Sequence, residues 1–187
     1  FQYETEGRAF LKALCEQVET NELKLHPTKT RLIEFGRYAA SNRRERKEGK
    51  PDTFDFLGFT HICGVSRFGK FCIRRKTIRK RLRRKLKEVK MKLIKRMHDP
   101  LESVAAWLAS VVRGFTNYHA IPGNMKAPRE FYTQVSRLWL WVIRRCSQNA
   151  KRRWTWERFY RLQHQWLPRP RLVHPFPSVR FDAKHSR

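Results

Sequence analysis

Ile78, Leu82, Leu86, Val89, Leu93 and Met97 recur at steps of four, four, three, four and four residues inside the most basic stretch of the chain. Steps of three and four draw one apolar stripe down a helix of period 3.6. Between Lys70 and Met97 there are fifteen Lys and Arg in twenty-eight positions against one acid, Glu88. A plain basic tail has no such order. The stretch therefore predicts a helix that docks one side on a core and presents its remaining faces as a field of cations. The partner that suits such a field is a polyanion.

The totals agree with that partner. The 187 residues suffice for one compact domain or two small ones. The formal net charge is +27, and cations at that density repel one another unless something neutralises them. The charge is lopsided: residues 1–60 carry eleven Lys and Arg against ten acids, whereas residues 61–187 carry thirty-two against six and hold all six Trp. Basic surface interleaved with aromatic rings suits nucleic acid, through phosphate pairing and base stacking. A membrane surface is the competing polyanion, but no apolar run approaches the roughly eighteen residues of a spanning helix, and no signal peptide is seen. The expectation is a soluble, cytoplasmic protein with no membrane partner. Cys15, Cys63, Cys72 and Cys146 form no C-x-x-C pair, which argues against a zinc knuckle. Cys63 and Cys72 either face each other across a hairpin or are half-buried free thiols.

Taken in order, the chain predicts an α+β fold. Thr5 is placed to cap a helix running to about Val18, with Phe10, Leu14 and Val18 inward. Leu23 and Leu25 alternate with Lys24 and His26 as a short strand that Pro27 ends. Arg31 to Phe35 is the returning strand of a hairpin around residues 27–30. Residues 40–53 are polar and mixed in charge, which predicts a mobile loop. Phe54 to Phe59 predicts an aromatic strand, and residues 61–73 a hairpin with Gly69 near its turn. From Lys76 the period is 3.6, giving a basic helix to His98. Asp99 as N-cap, Pro100 at N1 and Glu102 at N3 open the next helix, which carries Val104, Leu108, Val111, Val112 and Phe115 on one side. A loop over 119–128 turns at Pro122-Gly123-Asn124. A third helix spans about Arg129 to Arg145, with Phe131, Val135, Leu138, Trp139 and Val142 inward. A short helix follows Thr155, and the prolines at 168, 170, 175 and 177 impose an extended tail. The expected architecture is a small antiparallel sheet with one helix in 1–73, an all-α three-helix bundle in 74–150, and a basic, Pro-rich segment in 151–187.

Leu23-Lys24-Leu25-His26-Pro27-Thr28-Lys29-Thr30-Arg31, then Phe54-Asp55-Phe56-Leu57-Gly58-Phe59, the basic helix, and Arg113-Gly114-Phe115-Thr116-Asn117-Tyr118 occur in that order. Together with the Trp139 to Gln148 stretch and His174-Pro175, they resemble the group II intron-encoded reverse transcriptase/maturase family over nearly the whole chain. The resemblance implies the end of a polymerase palm in 1–73. After it comes the maturase-specific, or X, domain, which doubles as the thumb. The family's catalytic aspartates lie in a Tyr-Ala-Asp-Asp turn just before a helix like the one at Thr5 to Val18. Here no Asp precedes Asp52, so the chain matches the C-terminal part of such an enzyme. Two-metal phosphoryl transfer needs carboxylates that bridge the ions. The chain alone is therefore expected to lack catalytic residues and to bind no cofactor, Mg²⁺ belonging to the full-length parent.

The resemblance also assigns residues. Lys29 matches a palm lysine near the incoming nucleotide's phosphates, and is either an accessory charge or a turn lysine in water. Phe56, Leu57, Gly58 and Phe59 match the primer grip, with Gly58 letting a nucleic-acid backbone approach; as a bare pattern the four read as core. In the thumb, Arg74, Arg75, Lys76, Arg79, Lys80, Arg83, Arg84 and Lys87 are placed to meet phosphates of structured RNA. Arg113 and Asn117 share a helical face. Asn117 and Tyr118 serve either RNA or the core. Arg144 and Arg145 close the third helix, and Lys151, Arg152 and Arg153 extend the basic surface, resembling the start of a DNA-contacting segment. Trp139 reads as core, Trp141 as a stacking ring, and Trp154 and Trp156 as either. The expected partners are group II intron RNA, an RNA template with its DNA primer, and target DNA. The expected function is binding that assists splicing and reverse transcription by the full-length RNA-directed DNA polymerase. The alternative is a small standalone structural RNA-binding protein of ribosomal type. A complete enzyme of another kind is the poorest reading, since no Ser-His-Asp, Cys-His or ligand-spaced His set stands out.

Overall fold

Two tight turns fold residues 54–77 into a three-stranded sheet of order β1 (Phe54–Phe56), β2 (Phe59–Val65), β3 (Phe71–Thr77). β1 and β2 are antiparallel, with Phe54 opposite His61 and Phe56 opposite Phe59. That register leaves Leu57 and Gly58 as a two-residue turn. Both have positive φ, 46° and 83°, the pattern that matches the twist of paired strands. The expected single strand over Phe54 to Phe59 is thus a hairpin, because Gly58 supplies one of the two left-handed positions the turn requires. The second hairpin is as the sequence predicts: Gly69 has φ 74°, and the Ser66 amide donates to the Lys70 carbonyl at 2.8 Å.

This computed structural model describes residues 1, 3–27 and 29–176. The expectations that touch Thr28 or fall on 177–187, Pro177 included, lie outside the described residues. The chain is α+β and resolves into two compact units, one of residues 1–53 and 62–73, the other of 54–61 and 74 onward. The boundary expected after residue 73 therefore differs in one respect: the 54–61 hairpin goes with the helices.

In the first unit, α1 (Glu4–Thr20) has Tyr3 as its N-cap, two residues before the expected Thr5, with no side-chain cap bond. Its inward side is also displaced. Phe10 and Leu14 are exposed, while Gly7 is buried and Leu11, Cys15 and Val18 are half-buried. Gly7 sets this face, since a Cβ there would meet Leu32 Cδ1 at 3.1 Å. The strands expected at Leu23–Leu25 and Arg31–Phe35 do not form; both stretches carry no regular secondary structure. A lone two-stranded hairpin is marginal in water, and Pro27 withholds a donor. Residues 40–53 are more ordered than expected. α2 (Ala39–Glu45) forms, and Arg43 pairs with Asp52 at 2.9 Å while Arg46 pairs with Glu34 at 2.5 Å and Glu48 at 3.0 Å. The Arg46 hydrogen bonds hold the Glu34 and Glu48 carboxyls below their ordinary range. Mixed charge, read as disorder, here acts as a local clasp.

The second unit holds nearly all of the core. α3 (Arg79–Lys95), α4 (Leu101–His119) and α5 (Lys126–Ile143) form it, with α5 packed on both α3 and α4. Leu82, Val89 and Leu93 of α3 meet Val104, Leu108, Val112 and Phe115 of α4 and Phe131, Val135, Trp139 and Val142 of α5 in one cluster. The stripe that predicted α3 is thus the anchored side. α4 begins one residue later than the capping pattern implied: Pro100 is the N-cap, and no side chain caps the helix. The Asp99 amide closes the preceding turn on the Arg96 carbonyl at 3.1 Å.

Past residue 150 the chain continues the core instead of leaving it. α6 (Ala150–Arg153) leads to α7 (Trp156–Trp166), the short helix expected after Thr155, and Thr155 as its N-cap accepts from the Arg158 amide. Phe159 and Leu167 are buried in the cluster. From Pro168 the tail carries no regular secondary structure and is pinned at the end of α4, where His174 Nε2 lies 2.8 Å from the Asn117 carbonyl and the Val173 amide donates to Ala120 at 3.2 Å. Cys15, Cys63, Cys72 and Cys146 are free and half-buried. Among the described residues no helix is long and apolar enough to cross a membrane.

Candidate nucleic-acid interface

α3 spans seventeen residues, about 25 Å at the rise of an α-helix. Arg79, Lys80, Arg83, Arg84 and Lys87 are all exposed on it. The one acid, Glu88, lies 3.4 Å from Lys85 and 4.0 Å from Arg84. A single exposed carboxylate is too little to neutralise the helix, and exposed pairs of this kind contribute little. Arg81 and Lys85, not singled out from the sequence, belong to the same field. With Arg84 they line an open groove whose other wall is Ser110, Gly114 and Tyr118 of α4.

The expected helix start at Lys76 is too early. Arg74, Arg75 and Lys76 lie on β3, with Arg74 and Lys76 exposed and Arg75 half-buried. The break follows from Thr77, which is held in a buried polar cluster. Its amide donates to Asn124 Oδ1 at 3.0 Å, Asn124 Nδ2 donates to Thr77 Oγ1 at 2.8 Å and to the His119 carbonyl at 2.8 Å, and His119 Nδ1 lies 3.1 Å from Thr77 Oγ1. Asn124 thus fixes the entry to α3 from the α4–α5 loop. The sequence marked it only as a turn residue, and no local signal exposes a bond to a position 47 residues away. Burial, and then the nearby Arg81, push the His119 imidazole down to about 4.

The 54–61 hairpin is fastened to the same helices. The Ile78 amide donates to the Gly58 carbonyl at 3.1 Å, and Tyr118 donates to the Leu57 carbonyl at 2.5 Å while its ring stacks on Phe59 at 5.5 Å. Gly58 is buried, and a Cβ there would meet Arg81 Nη1 at 3.3 Å and the Tyr118 ring at 3.6 Å. In this structure the close approach that Gly58 permits is to Arg81 and the Tyr118 ring. Phe59 is buried as well; Phe56 and Leu57 project at the tip, 58% and 64% exposed.

The other expected residues divide. Arg113 and Asn117 are exposed on α4. Tyr118 is half exposed but spends its hydroxyl on Leu57. Arg144 is not a free surface cation: its Nε donates to the Trp154 carbonyl at 2.8 Å, closing the turn before α6. Arg145 lies over the Trp141 ring at 4.8 Å, as does Lys90 at 5.0 Å, so the expected base-stacking ring already has cations on it. Lys151, Arg152 and Arg153 are exposed on α6. Trp139 is core, Trp154 is half-buried with Arg158 at 5.3 Å, and Trp156 is exposed. Lys29 lies exposed in the first unit, its amide closing a turn on His26 at 3.1 Å. Among the described residues no group of three or more His, Cys, Asp or Glu is placed to hold a metal. Comparison with protein-family models, with curated proteins and with solved structures finds no match to this chain.

Proposed function

We propose that the chain binds structured RNA through α3, and that it is the C-terminal part of a group II intron-encoded reverse transcriptase/maturase, comprising the end of the palm, the primer grip and the X/thumb domain. One observation carries the RNA reading: α3 buries Leu82, Val89 and Leu93 and turns Lys80, Arg83, Arg84 and Lys87 to solvent with Glu88 as the sole acid. A structural helix has no use for that imbalance, whereas a polyanion releases its counterions on contact and makes binding favourable. The exposed Phe56 and Leu57 support a primer-grip role for the hairpin tip, and Lys151 to Arg153 support contact with target DNA. In this reading the partners are intron RNA and the template–primer duplex, met in the cytoplasm. By the resemblance, the metal-bridging carboxylates and Mg²⁺ belong to the family's full-length enzyme.

The test is the affinity for a folded group II intron RNA against that for a ribosomal RNA fragment of equal length at matched salt. Tighter binding to the intron is expected. Equal affinities would favour a general structural RNA-binder of ribosomal type, and a salt-independent affinity would remove the phosphate reading altogether.

A further inference from the structure

α3 has a second flank, and it carries a groove that the resemblance does not assign. Arg79 and Arg83 of α3 face Lys126 and Arg129 of α5 across it, with Leu82 and Leu86 as an apolar floor. Glu130 is the one acid among the lining residues, so the groove holds a net charge of +3. All four cations are exposed, and none has a carboxylate partner among the described residues. Their placement works against folding. Lys126 and Arg129 occupy the first turn of α5, which has no acid and no side-chain cap, the end at which the helix dipole disfavours cations. Four unneutralised guanidinium and ammonium groups from two helices raise the local potential well above that of either helix alone.

We propose that this α3–α5 groove is a discrete phosphate-binding site that seats one backbone phosphodiester of the bound RNA. The phosphate lies among Arg79, Arg83, Lys126 and Arg129, and the attached ribose lies on Leu82 and Leu86. Arginines suit the phosphate oxygens because their planar donors bind in pairs. A single seated phosphate fixes the register of α3 along the nucleic acid, a role that a uniform charge field does not perform. The inference rests on the RNA-binding reading above, and it adds two residues from α5 that no pattern in the basic stretch indicates.

Three variants separate the possibilities. Lys126→Ala/Arg129→Ala opens the groove. Arg67→Ala/Lys70→Ala removes the same charge at the exposed β2–β3 turn. Lys80→Ala/Arg84→Ala/Lys87→Ala strips the outer side of α3. Binding to the folded RNA is followed by anisotropy over a salt series, with thermal melts to show that each variant folds. The groove variant is expected to bind about tenfold more weakly than the turn variant, and to flatten the salt slope by about two. Ethylation interference should find one phosphate whose ethylation blocks the wild type but not the groove variant. The swap Lys126→Arg/Arg129→Lys should retain that position. Equal loss in the groove and turn variants overturns the site while leaving α3 as the interface. Wild-type binding by the α3 variant removes the RNA reading beneath it. Displacement by ATP at matched ionic strength, with no single sensitive backbone position, reassigns the groove to a free nucleotide and also overturns the proposal.

Discussion

The Tyr118 hydroxyl donates a 2.5 Å hydrogen bond to the carbonyl of Leu57, 61 residues earlier in the chain. The residue that accepts it has φ 46°, a region where a branched side chain is strained. One tyrosine near the end of α4 thereby holds the tip of the β1–β2 hairpin in a conformation the tip does not favour by itself. Tyr118→Phe should keep the ring stack on Phe59 and lose only this bond. The expected cost is about 1 kcal/mol, the net worth of one such bond, read as a lower urea midpoint. Amide exchange should quicken at Ile78, whose amide bonds the neighbouring Gly58 carbonyl. An unchanged exchange rate there would mean that the bond does not hold the hairpin.

Leu57 itself supplies the second prediction. Asn-Gly is the favoured pair for a two-residue turn with positive φ at both positions. Leu57→Asn should therefore stabilise the protein by about 1 kcal/mol, seen as a higher melting temperature. Strain retained at an exposed apolar position points to use of the side chain. The same variant is thus expected to lose affinity for a primer–template duplex. A gain in stability with no loss of affinity would leave the strained leucine without a role at the tip.

The two sides of α3 make separable predictions. Leu93 is fully buried, and Leu93→Ala removes packing from the centre of the cluster. The expected loss is about 2–5 kcal/mol of stability, measured by denaturant unfolding. Lys80→Ala/Arg84→Ala/Lys87→Ala lies on the solvent side and should leave the unfolding midpoint within about 0.5 kcal/mol of wild type. Its effect belongs in the salt dependence of RNA binding, where the slope should flatten by about three. If the charge variant unfolded instead, the outer face would be structural.

How much of this was legible follows from the range of each signal. The stripe from Leu82 to Leu93 and the inward sides of α4 and α5 are local periodicities, and the structure has them where the sequence places them. The failures are tertiary. Phe10 and Leu14 have helical spacing, yet Gly7 allows Leu32 to approach a different side of α1. Arg74 to Lys76 continue a basic run, yet Asn124 and Thr77 hold the backbone extended until Ile78. Asp99 and Glu102 have capping-box spacing, yet the Asp99 amide is taken by Arg96. At the candidate interface, the basic run revealed one wall of each groove. The facing walls, from Ser110 to Tyr118 on one flank and Lys126 to Arg129 on the other, come from helices whose outer faces carry no run of charge.

His119 makes the entry to α3 sensitive to acid. Asn124 Nδ2 already donates to Thr77 Oγ1, so the Thr77 hydroxyl proton is free to meet His119 Nδ1 across 3.1 Å, which calls for a neutral ring. Burial and the positive Arg81 both oppose protonation and push the ring from 6.5 to about 4. Between those values the unfolded chain binds a proton that the folded chain does not. Stability from this group is therefore complete above pH 6.5, falls as the pH drops toward 4, and levels off below it. The ring is only half-buried, so solvent screening holds the effect to about 1 kcal/mol. Urea midpoints at about pH 7 and about pH 5 should show a larger loss for the wild type than for His119→Gln, which keeps a polar side chain without the titration. Equal acid sensitivity in the two proteins would place the switch on another group.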